Sequence, residues 1–530
     1  MFRLLSRKLR TITKMTEQPA KGQAEADRSN RLSASLQDNI DKLHQILGES
    51  GDVVKRVLTL GHKKKTNAVI LSIDGLVKKE IINENVLKPL LYDAHCETDD
   101  TDFPFDNLDY LQQSLLSTVD IKKEGSYAAI VEALLYGEAV LLVDGNSEAL
   151  LIDCKGWPSR SIEEPDTEQT VRGPKEGFTE TMRINTAMLR RKIINPDLTF
   201  EDLILGERTH THICIAYLKG LARPELVEEV RRRVRRIKID AVLDSGYIEQ
   251  LIEDSPLSPF TTVGNSEKPD VVAARLLEGR VAIIVDGSPM ALTVPMFFIE
   301  GFQTAEDYYS RPYFASFVRL IRYLAFFIAL FAPALYVAMT TYHHELLPTP
   351  LLVTIATAGE GTPFPMVVEV LIIFIFFEII REGGIRLPGP VGSALSIVGA
   401  LIIGDAAVSA GLVGAPTVIV VAMTAVAFFL IVTHTDVTAL FSFLMTIMAG
   451  ILGGFGIMTG SLIILVHLAS LRSFGVPYMS PVMPFNTNDM KDTFIRLPLW
   501  ALITRPRLLV NQDAQRIAFR LEPKPPEDKR

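Results

Sequence analysis

The sequence predicts an α/β soluble half, made of two tandem duplicated α/β subdomains, followed by an all-α polytopic membrane domain. Three observations lead there. Two stretches of the first half align without a gap. Long apolar runs, broken by Gly, Pro and a few acids, fill Tyr323 to Leu471. The composition, 48% hydrophobic with a mean hydropathy of +0.24, averages a polar front half and an apolar back half, so the net charge of −8 says little about partners.

In chain order, residues 1–45 read as a disordered basic and polar tail. It opens with MFRLLSRKLRTITK, which lacks the apolar core of a secretory signal. Residues 46–165 and 166–305 form the two subdomains. The first contains Ala133-Leu-Leu-Tyr-Gly-Glu-Ala-Val-Leu-Leu-Val-Asp-Gly-Asn-Ser-Glu-Ala-Leu150, which matches Arg275-Leu-Leu-Glu-Gly-Arg-Val-Ala-Ile-Ile-Val-Asp-Gly-Ser-Pro-Met-Ala-Leu292 in the second. Upstream, a strand ending in Gly-Leu recurs at Thr66–Leu76 and Thr211–Leu221, so the order of elements repeats too. Asp144-Gly145 and Asp286-Gly287 sit between apolar runs and read as tight turns rather than catalytic acids, because no nucleophile or base repeats beside them. A Pro- and Glu-rich linker, 159–177, separates the copies.

The most basic patch, Pro224 to Lys238, has Leu226, Val230, Val234 and Ile237 on one helical stripe, with Glu228 and Glu229 four residues before Arg232 and Arg233. It reads as a solvated helix face, not a nucleic-acid site. Cys96, Cys154 and Cys214 show no metal spacing and read as reduced cytosolic thiols. Phosphate loops and dinucleotide fingerprints are absent, so neither cofactor nor metal is expected.

Residues 306–322 read as an interfacial elbow, with Tyr308, Tyr309, Tyr313, Arg319 and Arg322 at headgroup depth. The membrane domain, 323–475, carries runs at Tyr323–Tyr342, Phe364–Ile380, Val391–Val413, Pro416–Thr433 and Val437–Leu471. The last is too long for one perpendicular helix, and Gly453, Gly454 and Gly456 mark a break. Arginines flanking the runs predict four or six spans, or five where that rule fails, with the soluble half in the cytosol. Residues 476–530 form a cytosolic C-terminal segment.

Ionised groups at bilayer depth must face protein or water. Glu369 and Glu378 are nine residues apart and fall on opposite faces of one helix. Glu378 stands one turn before Arg381 and reads as a structural pair with it, whereas Glu369 has no basic neighbour and is the first candidate for an ion pathway. Glu360, Thr362 and Asp405 join it; the first two lie on the interrupted segment 347–365, re-entrant or an outer linker. Gly392, Ser396, Ala400 and Gly404 recur every fourth residue and give a helix-packing groove.

Four motifs carry a resemblance: Ile252-Glu-Asp-Ser-Pro-Leu-Ser-Pro-Phe-Thr-Thr262, Ala358-Gly-Glu-Gly-Thr-Pro-Phe-Pro-Met-Val-Val-Glu369, Phe377-Glu-Ile-Ile-Arg-Glu-Gly-Gly-Ile-Arg-Leu-Pro-Gly-Pro390 and His467-Leu-Ala-Ser-Leu-Arg-Ser-Phe-Gly-Val-Pro-Tyr478. From Ile46 to Pro484 the chain closely resembles the A subunit of GerA-family spore germination receptors. A paralogous branch encoded with dipicolinate-channel genes is the close rival. The resemblance implies a multi-pass subunit in the endospore inner membrane, a transporter-like B subunit and a lipoprotein C subunit as partners, and homo-oligomers forming a nutrient-gated ion channel. Departures are Phe374, where relatives usually carry Glu, and Ile431–Ala439, which replaces a Pro-containing basic loop. A secondary transporter would show matching halves in the membrane region, and a non-conducting scaffold would leave the intramembrane acids without a role.

Overall fold

The computed structural model describes the chain apart from residues 1–29, 62–64, 94–104, 119, 158–171, 386–398, 400–403, 432, 487–488, 511–514 and 517–530. Cys96, Gly392, Ser396 and Ala400 therefore lie outside the described residues, as do most of the expected tail and linker.

Strands that are apolar on both faces need cover on both faces, and this sets the soluble architecture. The first subdomain comprises α1 (Leu36–Leu47), β1 (Val53–Leu60), β2 (Thr66–Ile73), β3 (Ile121–Glu124), α2 (Tyr127–Leu135), β4 (Glu138–Val143) and β5 (Ala149–Asp153). Its antiparallel sheet has the order β1-β2-β4-β5-β3. On one face Val69, Leu71, Val140 and Leu142 meet α1 and α2. On the other, Ile70, Leu141 and Ile152 meet helical turns between residues 82 and 115.

The second subdomain comprises α3 (Met182–Lys192), β6 (Leu198–Leu205), β7 (Thr211–Leu218), α4 (Pro224–Arg236), α5 (Ser245–Ile252), β8 (Gly264–Ser266), α6 (Pro269–Leu276), β9 (Val281–Val285) and β10 (Ala291–Val294). Its order, β6-β7-β9-β10-β8, is that of the first sheet element for element.

The duplication extends to single atoms. Asp144 Oδ1 accepts from Leu36 N, the first residue of α1, at 3.1 Å, and Asp286 Oδ1 accepts from Met182 N, the first of α3, at 2.9 Å. The next residues, Gly145 and Gly287, both have φ +88° and donate to Ala34 O and Glu180 O. The repeated acid thus turns the chain and satisfies a free amide at a helix start, where negative charge is favoured.

The tail expected over residues 1–45 ends sooner. Ser35 caps α1 by accepting from Asp38 N, and Leu36, Ile40, Leu43 and Leu47 enter the core. On α4, Arg231 and Arg233 are tied to Glu201 and Asp254 rather than left in solvent. The subdomains are joined by Arg190 of α3, whose Nε and Nη2 reach Asp52 Oδ2 at 3.0 and 2.8 Å with both side chains buried.

Within residues 306–322 the chain turns at Ser310 and Arg311, both extended. A short helix, α7 (Glu306–Tyr309), is followed at Pro312 by α8 (Pro312–Thr341), which runs unbroken into the apolar half. Arg319 and Arg322 do not reach outward. Arg319 is 0% exposed; it and Arg322 converge on Asp307, with Asp492 2.9 Å from Arg319 Nη1.

The apolar half continues with α9 (Thr349–Gly359), α10 (Met366–Ile385), α11 (Ala415–Leu430), α12 (Thr435–Leu452) and α13 (Gly454–Ser470). Among the described residues two helices, α8 and α12, are long and apolar enough to cross a membrane; α9, α11 and α13 are shorter apolar helices. The last apolar run breaks at Gly453, where φ is +60° and a Cβ would lie 2.9 Å from Tyr342 Cγ, so only glycine fits. The α12–α13 hairpin turns there, level with the end of α8, since Tyr342 OH donates to Ile451 O at 2.8 Å.

That turn marks the far end of the bundle; the near end faces the second subdomain. There His434, at the start of α12, is buried and bonds Phe298 O through Nε2 at 2.9 Å, and His467 Nε2 lies 2.9 Å from Ser258 Oγ. Past α13 the chain returns to soluble protein. The hairpin β11 (Arg472–Ser473) and β12 (Val476–Pro477) places Ser473 Oγ 2.6 Å from Thr262 O. Phe474 enters one core of the second subdomain, and Leu509 and Val510 enter the other. The C-terminal segment therefore completes the soluble fold, with about 1.5–3 kcal/mol of burial for each such side chain.

Candidate functional site

The acids of the apolar half occupy different environments. Glu369, on the first turn of α10, is 1% exposed. Its Oε2 accepts from Gly414 N at 3.0 Å and lies 3.4 Å from Thr417 Oγ1. Gly414 is the N-cap of α11, so the carboxylate sits at the positive end of a helix dipole, beside amides with no partner within their own helix. Thr417 Oγ1 is also 3.3 Å from Tyr336 OH of α8. Glu369 is thereby an internal brace joining α10 to α11, held inside the protomer and away from its outer surface.

Glu378 lies toward the near end of α10. Arg381 Nη2 is 2.8 Å from its Oε2, and Arg381 Nη1 is 3.4 Å from Asp436 Oδ1 on α12. This group ties α10 to α12. Phe374, between the two acids, packs edge-on against Phe428 of α11, so the position fills a hydrophobic contact.

The remaining candidates lie at the outer surface. Glu360 follows α9 and is exposed, while Thr362 is half-buried and donates to Gly359 O at 2.9 Å. Helix α9, at 11 residues about 16 Å long, is too short to cross a 30 Å core. Its C-terminal end meets the chain before α11: a Cβ on Gly414 would lie 3.4 Å from Ala358 O, and one on Gly411 would lie 3.7 Å from Gly361 O. Residues 404–409 are helical, Gly404 is buried against Val418, and Asp405 and Ser409 are exposed. Thr354 and Thr357 are exposed on α9. The fold thus brings Thr354, Thr357, Glu360, Asp405 and Ser409 to the outside of the far half of the bundle, among surfaces otherwise made of Leu, Ile, Val and Phe.

Residues 41–508 match the family profile described as Bacillus/Clostridium GerA spore germination protein. The chain belongs to the GerA family. Among its relatives, spore germination protein KA of Bacillus subtilis (strain 168) is 43% identical over 95% of this chain and 92% of its own length. The uncharacterized membrane protein YfkQ of the same organism is 41% identical over 95% of this chain and 97% of its own length. The crystal structure of the N-terminal domain of the A subunit of the Bacillus megaterium spore germinant receptor GerK3 is 34% identical, covers 51% of this chain and 97% of that one, and superposes with a TM-score of 0.40.

In this GerA-family chain the residues that couple the two halves escape a reading of the sequence. Asp307, Arg319 and Arg322 form one buried group, with the half-buried Asp492 at its edge, and Arg319 Nη1 also donates to Asp492 O at 2.7 Å. Two arginines one turn apart were a visible signal; their acids lie 12 and 173 residues from Arg319, and only the fold assembles them. Gly301, where a Cβ would lie 2.1 Å from His434 Nε2, makes room for the histidine that seats the bundle on the second subdomain.

Proposed function

We propose that this chain is the A subunit of a germinant receptor of the endospore inner membrane. Copies of it, with a transporter-like B subunit and a lipoprotein C subunit, form a nutrient-gated cation channel. The observation that carries this reading is the outward exposure of Glu360, Asp405 and their hydroxyl neighbours on an apolar bundle. A charged side chain at mid-bilayer costs about 2.5–3.5 kcal/mol on insertion scales, an upper bound for Glu360, which lies beside the far end of the bundle. Such a face is stable where a neighbouring copy or water covers it, and copies arranged about an axis enclose a hydrated path lined by carboxylates that attract cations.

The course of the described helices supports an even number of crossings. α8 runs from the near to the far end and α10 returns, since Glu369 meets the start of α11 and Arg381 meets the start of α12. Gly411 lies beside Gly361 at the far end, and from there α11, α12 and α13 alternate. An even number agrees with the packing of Ser473, Leu509 and Val510 on the second subdomain, from which α8 also departs. Arg381 and Arg472 at the near end favour the spore-core side for the soluble half. A nutrient read by the partner subunit shifts the balance of closed and open states through the buried ion group at Asp307.

The test is a strain carrying Glu360→Gln with Asp405→Asn. Nutrient-triggered germination slows severalfold while an immunoblot shows the receptor at its normal level. Unchanged germination at normal receptor level removes these acids from the path.

A further inference from the structure

Helix α8 has 30 residues and is about 45 Å long, against about 27 Å for α12. Their far ends are level, because Tyr342 OH donates to Gly450 O and Ile451 O. The surplus is therefore at the near end, over residues 312–322. A hydrocarbon core of about 30 Å within a bilayer of about 40–45 Å leaves this overhang in the headgroup layer.

The overhang is built with its polar groups inside and its apolar groups outside. Arg319, Arg322, Asp307 and Asp492 are its interior. Tyr313, 87% exposed, with Phe317, Leu320 and Leu324, forms an outward stripe at spacings of four, three and four. This continues into the exposed face of α8 at Phe327 and Leu335. The C-terminal segment repeats the pattern. Arg496 N donates to Ser316 Oγ at 3.1 Å, Arg496 Nη1 donates to Ser310 O at 2.8 Å, and the Phe494 ring lies 5.1 Å from that of Tyr323. Meanwhile Phe494, Ile495, Leu499 and Trp500 point outward. A surface facing water would show the reverse arrangement, and aromatic rings with polar tips settle at the membrane interface.

We infer that residues 494–500, together with the first turns of α8, form a collar seated in the headgroup layer of the near leaflet, so that the C-terminal segment is an interfacial anchor as well as part of the soluble fold. The occupant of this face is lipid because it is continuous with the apolar side of α8. The inference rests on the membrane reading of the bundle but not on conduction.

The chain has two tryptophans, Trp157 and Trp500. Trp157 lies in the first subdomain beneath the guanidinium of Arg191, which makes it a control. The full chain with Trp157→Phe is reconstituted into phosphatidylcholine–phosphatidylglycerol vesicles whose acyl chains are brominated near the headgroup or near the terminal methyl. Emission of Trp500 falls roughly twofold with shallow bromine and less with deep bromine, as for an interfacial ring. The Trp500→Phe chain, which reports Trp157, is unaffected by either. Flotation of the same vesicles reads insertion separately. A chain that floats while Trp500 stays unquenched overturns the collar, whether water, a second copy or a protein partner covers it, and leaves the membrane reading intact. A chain that does not float overturns both.

Discussion

At the scale of single residues, burial decides what each charge does. Arg190 and Asp52 are fully enclosed between the subdomains, with Ser50 Oγ 2.5 Å from Asp52 Oδ1 and the Phe200 ring beneath the guanidinium. Removing one member strands the other in a dry site. Arg190→Met should lower the stability of the soluble half by about 3–5 kcal/mol in denaturant unfolding, and Arg190→Met with Asp52→Asn should recover a large part of that loss. Glu249 on α5 behaves differently: burial, followed by the charges of Glu253 and Asp244, pushes its carboxyl up to about 7 from an ordinary 4.5. The folded state keeps this proton when the unfolded chain has already released it. Its contribution to stability is thus full below pH 4.5 and is lost as pH rises through about 7. Melting curves of the full chain should show Glu249→Gln gaining stability relative to wild type at pH 8 compared with pH 5, and parallel curves would contradict the assignment. Neither pair nor proton was visible in sequence, because Asp52 and Arg190 are 138 residues apart and Glu249 lies on a helix that reads as an ordinary amphipathic surface.

At the scale of elements, periodicity and punctuation were the legible part. The two Val-Asp-Gly turns announced two copies of one α/β unit, and both sheets have the same strand order. The glycines of the last apolar run marked a break that became the α12–α13 hairpin. Edges between elements were less legible. α1 was hidden in a polar stretch because its four buried apolar side chains are diluted among Gln, Asp, Asn and Lys. Within the elbow the apolar run of α8 begins after its helix does: residues 312–322 mix aromatic and basic side chains, and a sequence cannot say which of those point inward. Gly453 carries the sharpest prediction at this scale. Alanine there meets both a backbone conformation that costs about 1–3 kcal/mol and the ring of Tyr342. Gly453→Ala should therefore lower the thermal unfolding midpoint of the detergent-solubilised chain, while Gly475→Ala, which has positive φ but open space around it, should lower it less. Equal effects would argue against a close hairpin at this place.

At the scale of the whole molecule, three layers are locked in series. The first subdomain is clamped to the second through Arg190, the second is sewn to the bundle through Asp307, His434 and the returning C-terminal segment, and the bundle presents Glu360 and Asp405 outward. The sequence directed attention to the acids of the apolar half, and their surroundings became visible only in the fold. Glu369 stood first because no base neighbours it along the helix, whereas the structure supplies the amide of Gly414, 45 residues away. Glu360 and Asp405 move ahead of it because they are exposed. The division of labour follows: Glu369→Gln should weaken assembly of the bundle, and Asp405→Asn should leave assembly intact and alter ion passage. The most direct measurement is the current across a planar bilayer containing the reconstituted receptor complex, recorded with and without its nutrient. The account predicts a nutrient-dependent, cation-selective current whose selectivity is reduced by Asp405→Asn with Glu360→Gln. A complex that binds nutrient yet carries no current, or a current indifferent to both acids, would contradict it.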